Sequence, residues 1–254
     1  MKNFLLLSLL TINAFATQIE RDPLFYSNLY HTKYHKHKYK NTLNEAYKIL
    51  KEEEGLVLTG YKDTNKMAIC SGLNLKKEYN YFAKRKFTND ECEAITKGVL
   101  IVYFQEMYNI INNNSVYKNN ADEVLKVVKS NQVAYLLSYF YNIGGGKFKN
   151  EKHHIDNLLV FLVVDNNPFT RQKTSKKQIE KYKKKISSEV CKNKQHVCNM
   201  LAESVLNIEE AKKQDDFESK IKNYHMKFSK NENGVFLDGL KRRRINEIKA
   251  WNLI

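Results

Sequence analysis

Proline is almost missing from this chain, at two residues in 254, and glycine is scarce at nine. These residues break helices and build tight turns, so their shortage excludes a turn-rich all-β fold and favours long helices. Acids are also in deficit: 28 Asp and Glu face 43 Lys and Arg, a formal charge of +15. A surface this basic calls for an anionic partner, whether nucleic acid, lipid headgroups or a bacterial wall polymer. Cysteines number four, and after the first sixteen residues no apolar run reaches membrane-spanning length. What is present, 42% hydrophobic residues over 254 positions, excludes disorder throughout and supports one sizeable globular domain or two small ones.

The first residues narrow the partner. Met1-Lys2-Asn3 is a short basic start, Phe4 to Phe15 an apolar run, and Ala14-Phe15-Ala16 places small residues at both positions before a cleavage point. Residues 1–16 therefore read as a secretory signal peptide, with transient membrane contact only through that segment. An exported chain meets oxidising conditions, so Cys70, Cys92, Cys191 and Cys198 read as two disulfides, with Cys70–Cys92 and Cys191–Cys198 preferred among three connectivities. A four-cysteine zinc site would need two close pairs, which the spacing of Cys70 and Cys92 does not provide. Nucleic-acid binding would rest on charge alone and conflicts with export.

Residues 17–41 are rich in Lys, His and Tyr and lack a helical apolar period, so they are expected to form a basic, flexible lead-in. His31, His35 and His37 lie there without a carboxylate or cysteine to complete a ligand set, and no metal is expected. Thr42-x-x-Glu45 is a capping box, followed at helical spacing by Leu43, Ala46, Tyr47, Ile49 and Leu50, so the domain is expected to start at 42. That helix ends at Glu54. Gly55 breaks it, the period changes to two through Leu56 and Leu58, and Asp63-Thr64-Asn65 is turn chemistry leading to a second strand over Met67–Cys70. Two acids, Glu54 and Asp63, thus sit on two different elements, as a reaction needing an acid on one side of a sugar and a charge on the other requires.

The stretch from Ile49 to Thr64, with Glu54-Gly55-Leu56-x-Leu58-x-x-Tyr61-Lys62-Asp63-Thr64 at its centre, resembles the opening motif of the phage-type lysozymes, the muramidases of glycoside hydrolase family 24. Two further stretches are similar to that family. Asn131-Gln132 through Ser138 to Asn142-Ile143-Gly144 looks like its central buried helix and the turn after it, with Gly144-Gly145-Gly146 offering positive φ. Gly234 to Trp251, containing Gly239-Leu240-Lys241-Arg242-Arg243-Arg244-Ile245-Asn246-Glu247, looks like its C-terminal segment. The family's threonine in the second strand falls on Ala68.

The resemblance implies an α+β, mainly helical, two-lobed lysozyme-like fold, with a small antiparallel β-hairpin lobe, a larger helical lobe and a cleft between them. Residues 42–254 would form the domain, enlarged by a helical insertion over about 150–230. It implies hydrolysis of the β-1,4 bond between N-acetylmuramic acid and N-acetylglucosamine in peptidoglycan, with Glu54 as general acid, Asp63 as the ionised partner, and no cofactor. Thr64, Ser138 and Asn142 are the candidate substrate contacts. Arg242 and Arg243 would pair with carboxylates and orient the site. The protein is expected to be an exported monomer, periplasmic or secreted; the alternatives are a lytic transglycosylase, which needs a single acid, and a catalytically weak wall-binding relative.

Overall fold

Asp22 caps a helix: its Oδ1 accepts from the Leu24 amide at 2.8 Å, and Pro23 takes the first helical position, where no N–H is needed. In the computed structural model, residues 22–63, 66–115, 117–166, 217–229 and 238–252 are described. Helix α1 spans Pro23–Lys33 and passes into a 3-10 turn at Tyr34–Lys36. Over residues 22–41 this corrects the expectation of a flexible lead-in. Tyr26 and Tyr34 are buried, and α1 approaches helix α3 (Asn89–Asn114) at Gly98, where a side chain would overlap the Tyr26 carbonyl. The Lys97 ammonium, paired with Glu93 at 2.6 Å, lies 5.0 Å from the Tyr34 ring centroid and 5.8 Å from that of Tyr30. Tertiary burial and cation–π contact thus hold a segment whose own apolar pattern is weak.

The chain divides into two compact units, one of Met1–Lys40 with Glu54–Tyr103, the other of Asn41–Glu53 with Phe104–Ile254. The first contains an antiparallel sheet of β1 (Val57–Asp63), β2 (Lys66–Cys70) and β3 (Leu73–Asn74), with β2 in the middle. Tyr61 pairs with Ala68, Lys62 with Met67 and Asp63 with Lys66. The expected hairpin thus gains a third strand, because Cys70 (φ +53°) and Gly72 (φ +80°) reverse the chain over a few residues. A 3-10 helix, Lys77–Lys84, packs on the sheet so closely that a side chain at Gly60 would overlap the backbone of Ala83. Helix α3 then begins with a capping box: the Thr88 amide donates to Glu91 Oε2 at 2.8 Å, and the Glu91 amide donates to Thr88 Oγ1 at 3.1 Å.

The second unit is helical. It takes most of α2 (Lys40–Glu54), the latter part of α3, and α4 (Ala121–Val127), α5 (Ser130–Ile143), α6 (Gly145–Asn150), α7 (Lys152–Asn166), α8 (Phe217–Met226) and α9 (Asp238–Ala250). Helix α2 starts before the box expected at Thr42 and Glu45. Thr42 is buried and its hydroxyl meets Ser130 Oγ at 2.9 Å, while Glu45 pairs with Lys48, so neither caps the helix. Helix α5 is the centre of the unit, buried from Gln132 to Ala134 and from Leu136 to Phe140. Trp251 anchors the C-terminus to it, Nε1 donating to the Gln132 carbonyl at 3.2 Å. Of the three consecutive glycines only Gly144 has positive φ, at +77°; Gly145 already belongs to α6.

The fold is α+β and mainly helical with one small antiparallel sheet. No described helix is long and apolar enough to cross a membrane. Thr64, the basic stretch 173–187, Cys191, Cys198 and residues 234–237 lie outside the described residues.

Candidate functional site

Glu52, Glu53 and Glu54 form the last turn of α2. Carboxylates are disfavoured there, since the helix macrodipole puts partial negative charge at the C-terminus. The helix stops because Gly55 adopts φ +73°, and Glu54 is left as its final residue, half-buried. The Glu54 carboxyl lies over the β2–β3 turn: a Cβ at Gly72 would sit 3.7 Å from both Cδ and Oε2. The strand leading into the same turn is fastened by a disulfide between Cys70 and Cys92, the latter in the first turn of α3, with Cα atoms 5.2 Å apart. Within the first unit, then, the Glu54 carboxyl at the end of α2 meets the β2–β3 turn, and the disulfide ties the strand leading into that turn to the start of α3.

Asp63 is the last residue of β1, opposite Lys66. Ala68 is fully buried on β2, between Tyr61 and Asn74 of the flanking strands, and offers no hydroxyl.

Ser138 is wholly enclosed in α5, and its Oγ meets no hydrogen-bond partner among the described residues. This removes it from the substrate contacts and places it in the core. Asn142 is half-buried in the last turn of α5. Just beyond it, the Glu106 carboxyl fills the space a side chain at Gly145 would need, and burial pushes that acid above the usual carboxylate range.

The arginines sort differently from expectation. Arg242 is exposed, whereas Arg243 and Arg244 are buried. Arg243 Nε lies 2.7 Å from Glu53 Oε2, an ion pair with both side chains almost enclosed. Burial raises the Glu53 pKa, and Arg243 opposes that rise. Arg244 Nη2 lies 3.0 Å from Glu247 Oε1, and its guanidinium covers the Tyr139 ring at 4.8 Å. The arginines that meet carboxylates are therefore Arg243 and Arg244, rather than the expected Arg242 and Arg243. The spacing Arg-Arg-x-x-Glu carried the signal, because residues three apart share a helix face.

Sequence reasoning missed His154 and His225 altogether. They come from α7 and α8 and hydrogen-bond to each other at 3.2 Å, and His225 bonds to Glu247 at 2.6 Å. No local spacing announces such a contact. Among the described residues no group of three or more His, Cys, Asp or Glu is arranged to hold a metal ion. No family model, curated protein or solved structure matches the chain.

Proposed function

We propose that this protein is an exported, peptidoglycan-degrading lysozyme with a two-lobed lysozyme-like fold, cutting the β-1,4 bond between N-acetylmuramic acid and N-acetylglucosamine. The observation that carries the reading is Glu54: one carboxyl at the end of a helix stopped by a positive-φ glycine, over a turn pinned by a disulfide. A fixed, half-buried acid of this kind suits protonation of a leaving glycosidic oxygen. Asp63, at the far end of β1, supplies the second carboxylate, stabilising the oxocarbenium-like charge. The sequence motifs around both residues, the signal-like residues 1–16 and the basic surface agree with a wall substrate.

Ala68 favours one second reading, a relative that binds the wall without cutting it. Its methyl group occupies a buried position where the resembling family has a hydroxyl that helps place water.

The test is mass-spectrometric analysis of muropeptides after incubating purified peptidoglycan with the protein from Thr17 onward and with Glu54→Gln. Reducing-end products that disappear in the variant support the muramidase. Anhydro-muramyl ends would indicate a transglycosylase. Co-sedimentation with the wall and no release by either protein would leave only the binding reading.

A further inference from the structure

A group of buried polar side chains in the second unit has no part in the proposed reaction. Helix α7 contributes His154, α8 His225, and α9 Arg244 and Glu247, all enclosed. His154 Nε2 lies 3.2 Å from His225 Nδ1, His225 Nε2 lies 2.6 Å from Glu247 Oε2, and Arg244 Nη2 lies 3.0 Å from Glu247 Oε1. The ring of Trp251, the only tryptophan in the chain, meets His225 edge to face with centroids 4.7 Å apart.

Other ionisable groups surround this line. From α5 come Tyr139, whose ring lies 4.6 Å from that of His225, and Tyr135, which feels Glu53 and Glu247. From α8 comes Tyr224, tilted over His154 at 4.9 Å and hydrogen-bonded to Glu151 at the end of α6. From α9 and α2 come Arg243 and its partner Glu53.

The protons in this line can be counted. With Glu247 ionised, His225 Nε2–H donates to Oε2, and His154 Nε2–H donates to His225 Nδ1. With one proton more, the line reverses without moving a heavy atom: Oε2–H donates to His225 Nε2, His225 Nδ1–H donates to His154 Nε2, and His154 carries its own proton on Nδ1. A second extra proton finds no acceptor. Glu247 Oε1 faces a guanidinium, which has only donors, so every remaining arrangement sets O–H against N–H or N–H against N–H. In an enclosed site such a conflict cannot be relieved by water.

We propose that the His154–His225–Glu247–Arg244 line is an acid-released latch, fastening α9 to α8 and α7 while it carries at most one extra proton and letting α9 go when a second arrives. The electrostatics agree. Burial pushes Glu247 up to about 8 against the pull of Arg244 and Arg243, so the first proton is in place near neutrality. Burial and the adjacent Arg244 hold His225 well below the ordinary histidine range, so the second arrives only in acid. Because α9 also carries Arg243, release separates Arg243 from Glu53. The latch itself does not depend on the enzymatic reading.

Trp251 gives a readout that needs no substrate. Its emission and the far-UV circular dichroism of the full chain are followed from mildly alkaline to acid pH. The expected result is a steady emission maximum as Glu247 titrates, then a red shift in acid at a higher pH than the loss of helix. Glu247→Gln, whose amide donates to His225 Nε2 as the protonated acid does, keeps the acid shift. His225→Phe, which cannot take the second proton, loses that early shift. Emission and helix changing together in the wild type, or an early red shift persisting in His225→Phe, overturns the latch. The wild-type comparison decides the question even if the phenylalanine variant does not fold.

Discussion

Arg243 on α9 and Glu53 on α2 form a nearly enclosed ion pair, Nε to Oε2 2.7 Å, one residue before the candidate acid Glu54. The pair places a cation at the C-terminal turn of a helix that carries three consecutive glutamates, the end where the macrodipole favours positive charge.

Removing one partner strands the other. Arg243→Met leaves Glu53 enclosed without its cation and should lower the unfolding free energy by about 3 kcal/mol, read from urea denaturation. Arg243→Met combined with Glu53→Met should recover most of that loss, because two apolar side chains need no counter-charge.

Stability should fall on both sides of a mildly acidic plateau. Glu247 is raised in the folded state from 4.5 to about 8, so its contribution is complete below about 4.5 and is lost as pH rises through about 8. His225 is lowered, so its contribution is complete above about 6.5 and is lost as pH falls below that value. Between 4.5 and 6.5 the two slopes oppose each other. Thermal melts across this range should therefore show Tm declining from about 6.5 towards 8, and Glu247→Gln should flatten that alkaline decline.

The disulfide from Cys70 to Cys92 closes a separation of 22 residues. Replacing both cysteines by serine should cost about 3 kcal/mol from the loss of that cross-link. The Tm of the wild type should fall on adding reductant, and that of the double variant should fall far less.

Gly98 is the point where α3 meets the backbone of α1. Gly98→Ala should force α1 outward and cost about 1–3 kcal/mol, more than the small gain alanine brings to a helix. Limited proteolysis should then cut within α1 faster than in the wild type. Unchanged protection of α1 would show that this close approach does not hold it in place.

Local chemistry made part of this molecule legible in its sequence. Thr88 and Glu91 satisfy each other's amides within one helical turn, so their spacing alone marks the start of α3. Gly55 ended α2 at Glu54 for an equally local reason, a positive φ that other residues resist. Gly144 ended α5 in the same way. The apolar density of 133–140 is itself enough to mark a core helix.

The rest was decided by contacts between residues far apart in the chain. Thr42 looked like a cap, but its hydroxyl went to Ser130; Tyr26 and Tyr34 looked like a solvated lead-in, but Gly98 and Lys97 gave them a place to be buried. Ser138 looked available and is enclosed, while Arg244, His154, His225 and Glu247 form a buried line drawn from three helices. By itself the sequence determined where helices stop, which segments must be buried and which two acids stand on separate elements, because those depend on neighbouring residues. Which arginine pairs with which acid, and which polar groups leave water, depended on helix packing, because burial and hydrogen-bond geometry exist only after the chain has folded.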